Sequence, residues 1–293
     1  MDKHGEKEET MVKFDKSGCK IRKIRIERKD GSRMKLLIVS PEHQSGLTAG
    51  VLWLHGGGYL TGFPEMVFMS RAIDLVRECG AVVVSPSYRL SFQKPFPAAL
   101  EDSYLALCWI KEHARELGIH RNQIMVGGES AGGGLAAALC LYARDKGEVN
   151  IAFQMPLYPM LDCEDTDSSR SNRNKVWNTR KNHFAWNLYL RSLKGKGEKI
   201  PQYASPAREE NYSNLPPAYT FVWKDEPFYQ ETLDYVRNLE KAGIPAYADV
   251  YPGGYHALDM MEPDSKAAKL AKERFITVFE HAKKYCFSRQ PEN

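Results

Sequence analysis

The sequence has little cysteine, and what it has is not paired. Cys19, Cys79, Cys108, Cys140, Cys163 and Cys286 form no C-x-x-C pair. Six scattered thiols in 293 residues do not make a disulfide framework. Cys108 and Cys140 lie in apolar helical patterns and read as reduced, buried thiols. Long hydrophobic runs are missing too. No window approaches 18 apolar residues, so no membrane span is expected. The first nine residues, Met1 to Glu9, are charged and hold no apolar centre, so no signal peptide is expected. A reducing, cytoplasmic location follows as the default. An excess of one charge is absent as well. Forty-one Lys and Arg stand against 37 Asp and Glu, a net charge of +4. A dedicated nucleic-acid binder would carry a concentrated basic face, so no nucleic-acid partner is expected. Basic clusters do occur at Lys20–Lys29 and Arg170–Lys181. Both read as solvated strand or loop faces.

Apolar runs alternating with amphipathic stretches fill most of the chain. Lys20–Arg28 and Met34–Val39 are strand-like runs joined across Asp30-Gly31, which predicts a hairpin. Gly50–Leu54 and Ala81–Pro86 read as buried strands. Met66–Cys79 reads as helical. A helix opens at Pro97 and runs through Leu117, with Leu100, Tyr104, Leu107, Ile110 and Ala114 at helical spacing. Ile151–Leu161 begins with another apolar run. From Asp162 to about Tyr203 the alternation breaks into a polar, then aromatic-rich insertion, expected to be a helical cap. Ala218–Trp223 and Ala246–Tyr251 restore the strand pattern around a helix at Phe228–Ala242, and Ser265–Tyr285 closes as an amphipathic helix. Strands alternating with helices imply an α/β fold, a mostly parallel sheet covered on both faces. Residues 1–293 read as one domain, with the cap drawn from about 1–20 and 162–203.

The chemistry centres on Gly128-Glu129-Ser130-Ala131-Gly132, between an apolar run and an Ala/Leu-rich helix. This fits the G-x-S-x-G elbow, a serine on a sharp strand-to-helix turn. The turn needs residues without a Cβ two positions away on each side. A serine hydroxyl needs a base to take its proton. Of eight histidines, His55 opens a glycine-rich turn, and His256 follows a predicted strand directly, on the loop after Pro252-Gly253-Gly254. In a parallel sheet that places it on the same edge as Ser130. An acid must orient the imidazole, and Asp225 and Glu226, just past Trp223, are both candidates. His55-Gly56-Gly57-Gly58 follows another strand. Its bare N–H groups, with that of Ala131, suit a developing oxyanion. His55 itself reads as a structural hydrogen-bonder. No phosphate-binding motif stands directly after a strand, and no metal-ligand spacing occurs, so no cofactor and no metal are expected.

These motifs resemble the hormone-sensitive-lipase-like family of α/β-hydrolase esterases. The resemblance extends to Tyr88-Arg89-Leu90 with Pro95–Ala99 and Asp102, and to Tyr203–Pro206 with Leu215–Ala218. It covers about residues 45–262, in order. It implies an α/β-hydrolase fold and a serine carboxylesterase acting on short acyl esters. Ser130 would be the nucleophile, His256 the base, and Gly57, Gly58 and Ala131 the oxyanion hole. The family's acid motif, usually Asp-Pro-Leu, falls on Glu226-Pro227-Phe228 and so favours Glu226 over Asp225. Glu129 stands where the family often has Asp. Tyr59, Tyr158 and Phe184 are expected pocket-lining residues. The alternatives are an amide or sugar-ester deacylase on the same residues, or a catalytically silent small-molecule binder. The implied partner is a small-molecule ester; the sequence does not give an oligomeric state.

Overall fold

A computed structural model of the chain describes residues 14–195 and 199–292. The first part of the expected cap, residues 1–13, lies outside the described residues. Among the described residues the centre is a single sheet of eight strands in the order β1-β2-β4-β3-β5-β6-β7-β8. These are β1 (Cys19–Glu27), β2 (Arg33–Pro41), β3 (Thr48–Leu54), β4 (Val82–Pro86), β5 (Ile119–Glu129), β6 (Gln154–Leu157), β7 (Ala218–Trp223) and β8 (Ala246–Tyr251). The β1–β2 and β2–β4 pairs are antiparallel and all others are parallel. The hairpin forms as the sequence suggests, closed by a turn in which Arg28 N donates to Ser32 O at 2.8 Å. Lys20, Lys23 and Arg25 stand exposed on its outer strand, so this basic cluster is a charged sheet edge.

The described residues form seven α-helices: α1 (Arg71–Arg77), α2 (Ala98–His113), α3 (Ala131–Lys146), α4 (Thr179–Tyr189), α5 (Tyr229–Lys241), α6 (Leu258–Met261) and α7 (Lys266–Tyr285). Strand periodicity divides the core between the two faces. Leu52 and Leu54 pack with Leu107, Leu135 and Leu239, from α2, α3 and α5. Val51 and Trp53 pack with Leu75, Val76, Phe275 and Phe279, from α1 and α7. Three expectations shift. The stretch expected as one helix over 66–79 is a 3-10 turn (Pro64–Met69) and α1, because extended Ser70 separates them and its side chain caps α1. The run from Ile151 keeps only four residues in the sheet. The single-turn helix α6 was not expected at all.

Several motif residues hold loops rather than chemistry. Asp102, 1% exposed, accepts from Arg28 Nε at 2.8 Å and from Arg89 N, Nε and Nη2 at 2.8, 3.0 and 2.8 Å. The Ser205 hydroxyl accepts from Cys163 N at 3.1 Å and donates to Leu161 O at 2.9 Å. The sheet itself places the site. The chain leaves β3 for β4 on one side, then returns to β5 on the other. Crevices open at such switch points, beyond the strands' C-terminal ends. Leu54 pairs with Gly128 there, so the loops after β3 and β5 emerge side by side.

Candidate active site

Ser130 stands between β5 and α3 with φ 57° and ψ −121°. A positive φ on a residue with a side chain is strained by about 1–3 kcal/mol and persists only where neighbours hold it. Here they do. Ser130 N donates to Leu157 O at 3.0 Å, while Ser130 O accepts from Gly134 N and Met160 N, each at 2.9 Å. The flanking glycines are required by close approach. A Cβ on Gly132 would collide with Leu54 O, and one on Gly128 would lie 2.6 Å from Gly132 O. Ser130 thus sits at the N-terminus of a sixteen-residue helix, its positive end.

Ser130 Oγ lies 2.8 Å from His256 Nε2. The opposite ring nitrogen, Nδ1, is hydrogen-bonded to Glu226 Oε2. Three loops, after β5, β7 and β8, thus deliver one continuous relay. All three side chains are buried: Ser130 is 6%, His256 3% and Glu226 0% exposed. Burial pushes the Glu226 carboxyl above its ordinary range, and the adjacent imidazole opposes that shift. The second oxygen, Oε1, has no hydrogen-bond partner among the described residues, which leaves His256 as this carboxyl's one strong side-chain contact. Asp225 is elsewhere. It is exposed, and its backbone carbonyl, not its carboxylate, takes part by accepting from Asn172 and Asn174 at 3.1 and 2.6 Å.

The glycine loop lies against the serine. A Cβ on Gly56 would come within 3.3 Å of Ser130 Cβ. Gly57 and Gly58 have φ of 111° and 63°, which side chains seldom allow. Among the described residues, the N–H groups of Gly57, Gly58 and Ala131 have no backbone or side-chain acceptor. His55 anchors this loop. Its Nδ1 bonds Gly56 O at 2.8 Å, its ring stacks on Tyr88 at 4.1 Å, and the Tyr88 hydroxyl donates to His55 O at 2.6 Å. Burial pulls the imidazole down to about 4, so it stays neutral near pH 7.

Of the expected lining residues, Tyr158 backs His256 edge-on at 5.3 Å. Tyr59 stacks on Tyr189 at 4.0 Å inside the core. Phe184 points outward, 55% exposed. Sequence reasoning missed a charged group behind the site. Arg71 Nε lies 3.3 Å from Asp259 Oδ2 and Arg71 Nη1 lies 3.0 Å from Asp74 Oδ2. Asp259 is fully buried three residues after His256, so this pair ties the histidine loop to α1. Glu129 is 2% exposed and accepts from Trp53 Nε1 at 2.9 Å. Burial raises its carboxyl to about 8. Trp177 was missed as well; it abuts Gly58, where a Cβ would run into its ring.

Known proteins resemble the chain in sequence and in fold. A family described as having the alpha/beta hydrolase fold matches residues 51–260. Esterase LipI of Mycobacterium tuberculosis is 34% identical over 203 residues, covering 67% of this chain and 61% of its own, so about three fifths of that relative is spanned. An ethyl acetate hydrolase of Pseudomonas putida is 28% identical over 247 residues, covering 83% and 77%. Among solved structures, a bacterial heroin esterase superposes with a TM-score of 0.87 at 31% identity, covering 93% of this chain and 87% of that one.

Proposed function

The chain belongs to the hormone-sensitive-lipase-like esterase family of α/β hydrolases, and on that premise we propose that it is a serine carboxylesterase acting on short-chain acyl esters. The observation that carries the reading is the relay Ser130–His256–Glu226 beside the unpaired N–H groups of the glycine loop. Ser130 Oγ attacks the ester carbonyl as His256 Nε2 takes its proton. Glu226 accepts from Nδ1, holding the imidazole in the tautomer that leaves Nε2 free, and stabilises the charge that forms. The N–H groups of Gly57, Gly58 and Ala131 bind the oxyanion; one such donor is typically worth roughly 3 kcal/mol. His256 then returns the proton to the departing alcohol. Water, activated by the same imidazole, releases the acid and restores Ser130.

Residues 162–195 and 199–203 contribute the cap in this reading. The six unpaired cysteines support a reducing, cytoplasmic setting. Turnover of p-nitrophenyl acetate and butyrate by the wild type and Ser130→Ala tests the mechanism. The variant is expected to lose at least about a thousandfold in kcat. Equal rates in both proteins refute it.

A further inference from the structure

Residues 168–181 run as a strap past the acid loop, the histidine loop and the glycine loop. The Ser168 hydroxyl donates to Pro227 O at 2.7 Å and accepts from Gln230 N at 3.0 Å. With Asn172 and Asn174 on the Asp225 carbonyl, this grips the acid loop. Lys175 Nζ lies 3.9 Å from the centre of the Tyr255 ring and 3.4 Å from Glu262 Oε1, on either side of His256 in the chain. Lys181 closes the strap on itself, donating to Val176 O at 2.8 Å. Two cations of the basic cluster at 170–181 are therefore clips. The strap ends on the glycine loop through Trp177, whose Nε1 donates to buried Asn182 Oδ1 at 3.2 Å.

Trp177 occupies a telling place. Three aromatic rings surround His256: Phe228 at 4.9 Å, Tyr158 at 5.3 Å and Trp177 at 6.4 Å. Phe228 and Tyr158 are fully buried and back the imidazole. Trp177 keeps partial exposure and borders the open side. It also meets Gly58, at the loop assigned to the carbonyl oxygen. To receive its proton, the leaving alcohol must lie against His256 Nε2. Trp177 meets both His256 and Gly58, so an alcohol placed against Nε2 there meets the indole.

We propose that Trp177 is the residue that limits the alcohol portion of the ester, admitting short alkyl alcohols or flat aryl ones that lie along the ring and excluding longer linear chains. The proposal rests on the esterase reading above. Its indole is clamped by Asn182 and by the strap, so a longer chain meets a rigid wall rather than a side chain that swings aside.

The test is kcat/KM, by titration of released acid, on two ester series with the wild type, Trp177→Ala and Trp177→Leu. One series is ethyl to hexyl acetate. The other is the methyl esters of acetate to hexanoate. Each methylene newly buried gains about fourfold. The hexyl-to-ethyl ratio is therefore expected to rise at least about tenfold in Trp177→Ala and by less in Trp177→Leu. The methyl hexanoate-to-acetate ratio should move less than about threefold. Where the alanine variant does not fold, the leucine variant decides by the same ratio. Unchanged ratios in the alkyl acetates, broadening on the acyl side instead, or a uniform loss on every ester overturns the proposal and leaves the esterase reading intact. A wild type that turns over neither series overturns both.

Discussion

Glu129→Gln separates the fold of the elbow from its chemistry, and its effect follows from burial. The Glu129 carboxyl accepts from Trp53, is hydrogen-bonded to neither Ser130 nor His256 among the described residues, and is 2% exposed. Burial holds its carboxyl at about 8 against an ordinary 4.5, with hydrogen bonds from Ser70 and Trp53 limiting the rise. An acid raised on folding keeps its proton in the native state after the unfolded chain has lost its own. The stability it confers is full below about pH 4.5. It falls as the pH rises and stops falling once the native carboxyl ionises near 8. At about 1.4 kcal/mol per unit, the loss between pH 5 and pH 8 is roughly 3–4 kcal/mol. Glutamine is neutral throughout and retains an oxygen for the Trp53 N–H. The Gln variant should therefore match the wild type within about 1 kcal/mol at pH 5. At pH 8 it should be more stable by those 3–4 kcal/mol, on the order of 10 °C in Tm. Glu226, Glu231 and Asp259 are raised by burial too and are carried by both proteins, so their own titration largely cancels in the comparison. Urea unfolding of both proteins at pH 5 and pH 8 is the assay. Parallel loss of stability in the two would show that Glu129 is not the group that titrates and would refute the reasoning.

The acid is decided by a side-by-side assay of kcat. Glu226→Gln should cost on the order of 10⁴-fold, because the amide can hold the wrong tautomer of His256, whereas Asp225→Asn should stay within about threefold, since its carboxylate makes no contact with the relay; equal losses would contradict the geometry. Arg71→Met strands Asp259 in the core beside the histidine loop and should cost about 3–5 kcal/mol by denaturant unfolding. Arg71→Met with Asp259→Asn should recover most of it, and a double variant no better than the single one would show that the pair is not coupled.

What could be read beforehand was whatever is written into backbone pattern. Val51 and Trp53 against Leu52 and Leu54 mark a strand buried on both faces, and the observed core divides along that alternation. The strand-end positions of Ser130 and His256 follow from parallel topology, without any knowledge of their neighbours. Glycine requirements were legible for the same reason: Gly128 and Gly132 are needed because backbone approaches backbone there. The broken helix at Ser70 was not legible, because apolar Phe68, Ala72, Leu75 and Val76 keep a helix-like spacing across an extended residue.

Partners that meet through side chains across the chain left no local mark. Trp177 sits in a polar, basic stretch where a lone aromatic has no periodicity to place it, yet it packs on a glycine 119 positions earlier, Gly58. Arg71 belongs to α1 and Asp259 to α6, which meet because both pack on the same face of the sheet. Asp225 and Glu226 show the limit most sharply. They are adjacent and chemically alike, and both follow the same strand. One residue of advance along the turn carries the carboxylate from solvent into contact with His256. Composition and spacing cannot separate two such neighbours, because what distinguishes them is direction. The direction is set by the bond from Glu226 N to Trp223 O and by buried Pro227 and Phe228 beyond it. The turn that aims the acid is thus held by packing on its far side, the part of the site that a local pattern conveys least.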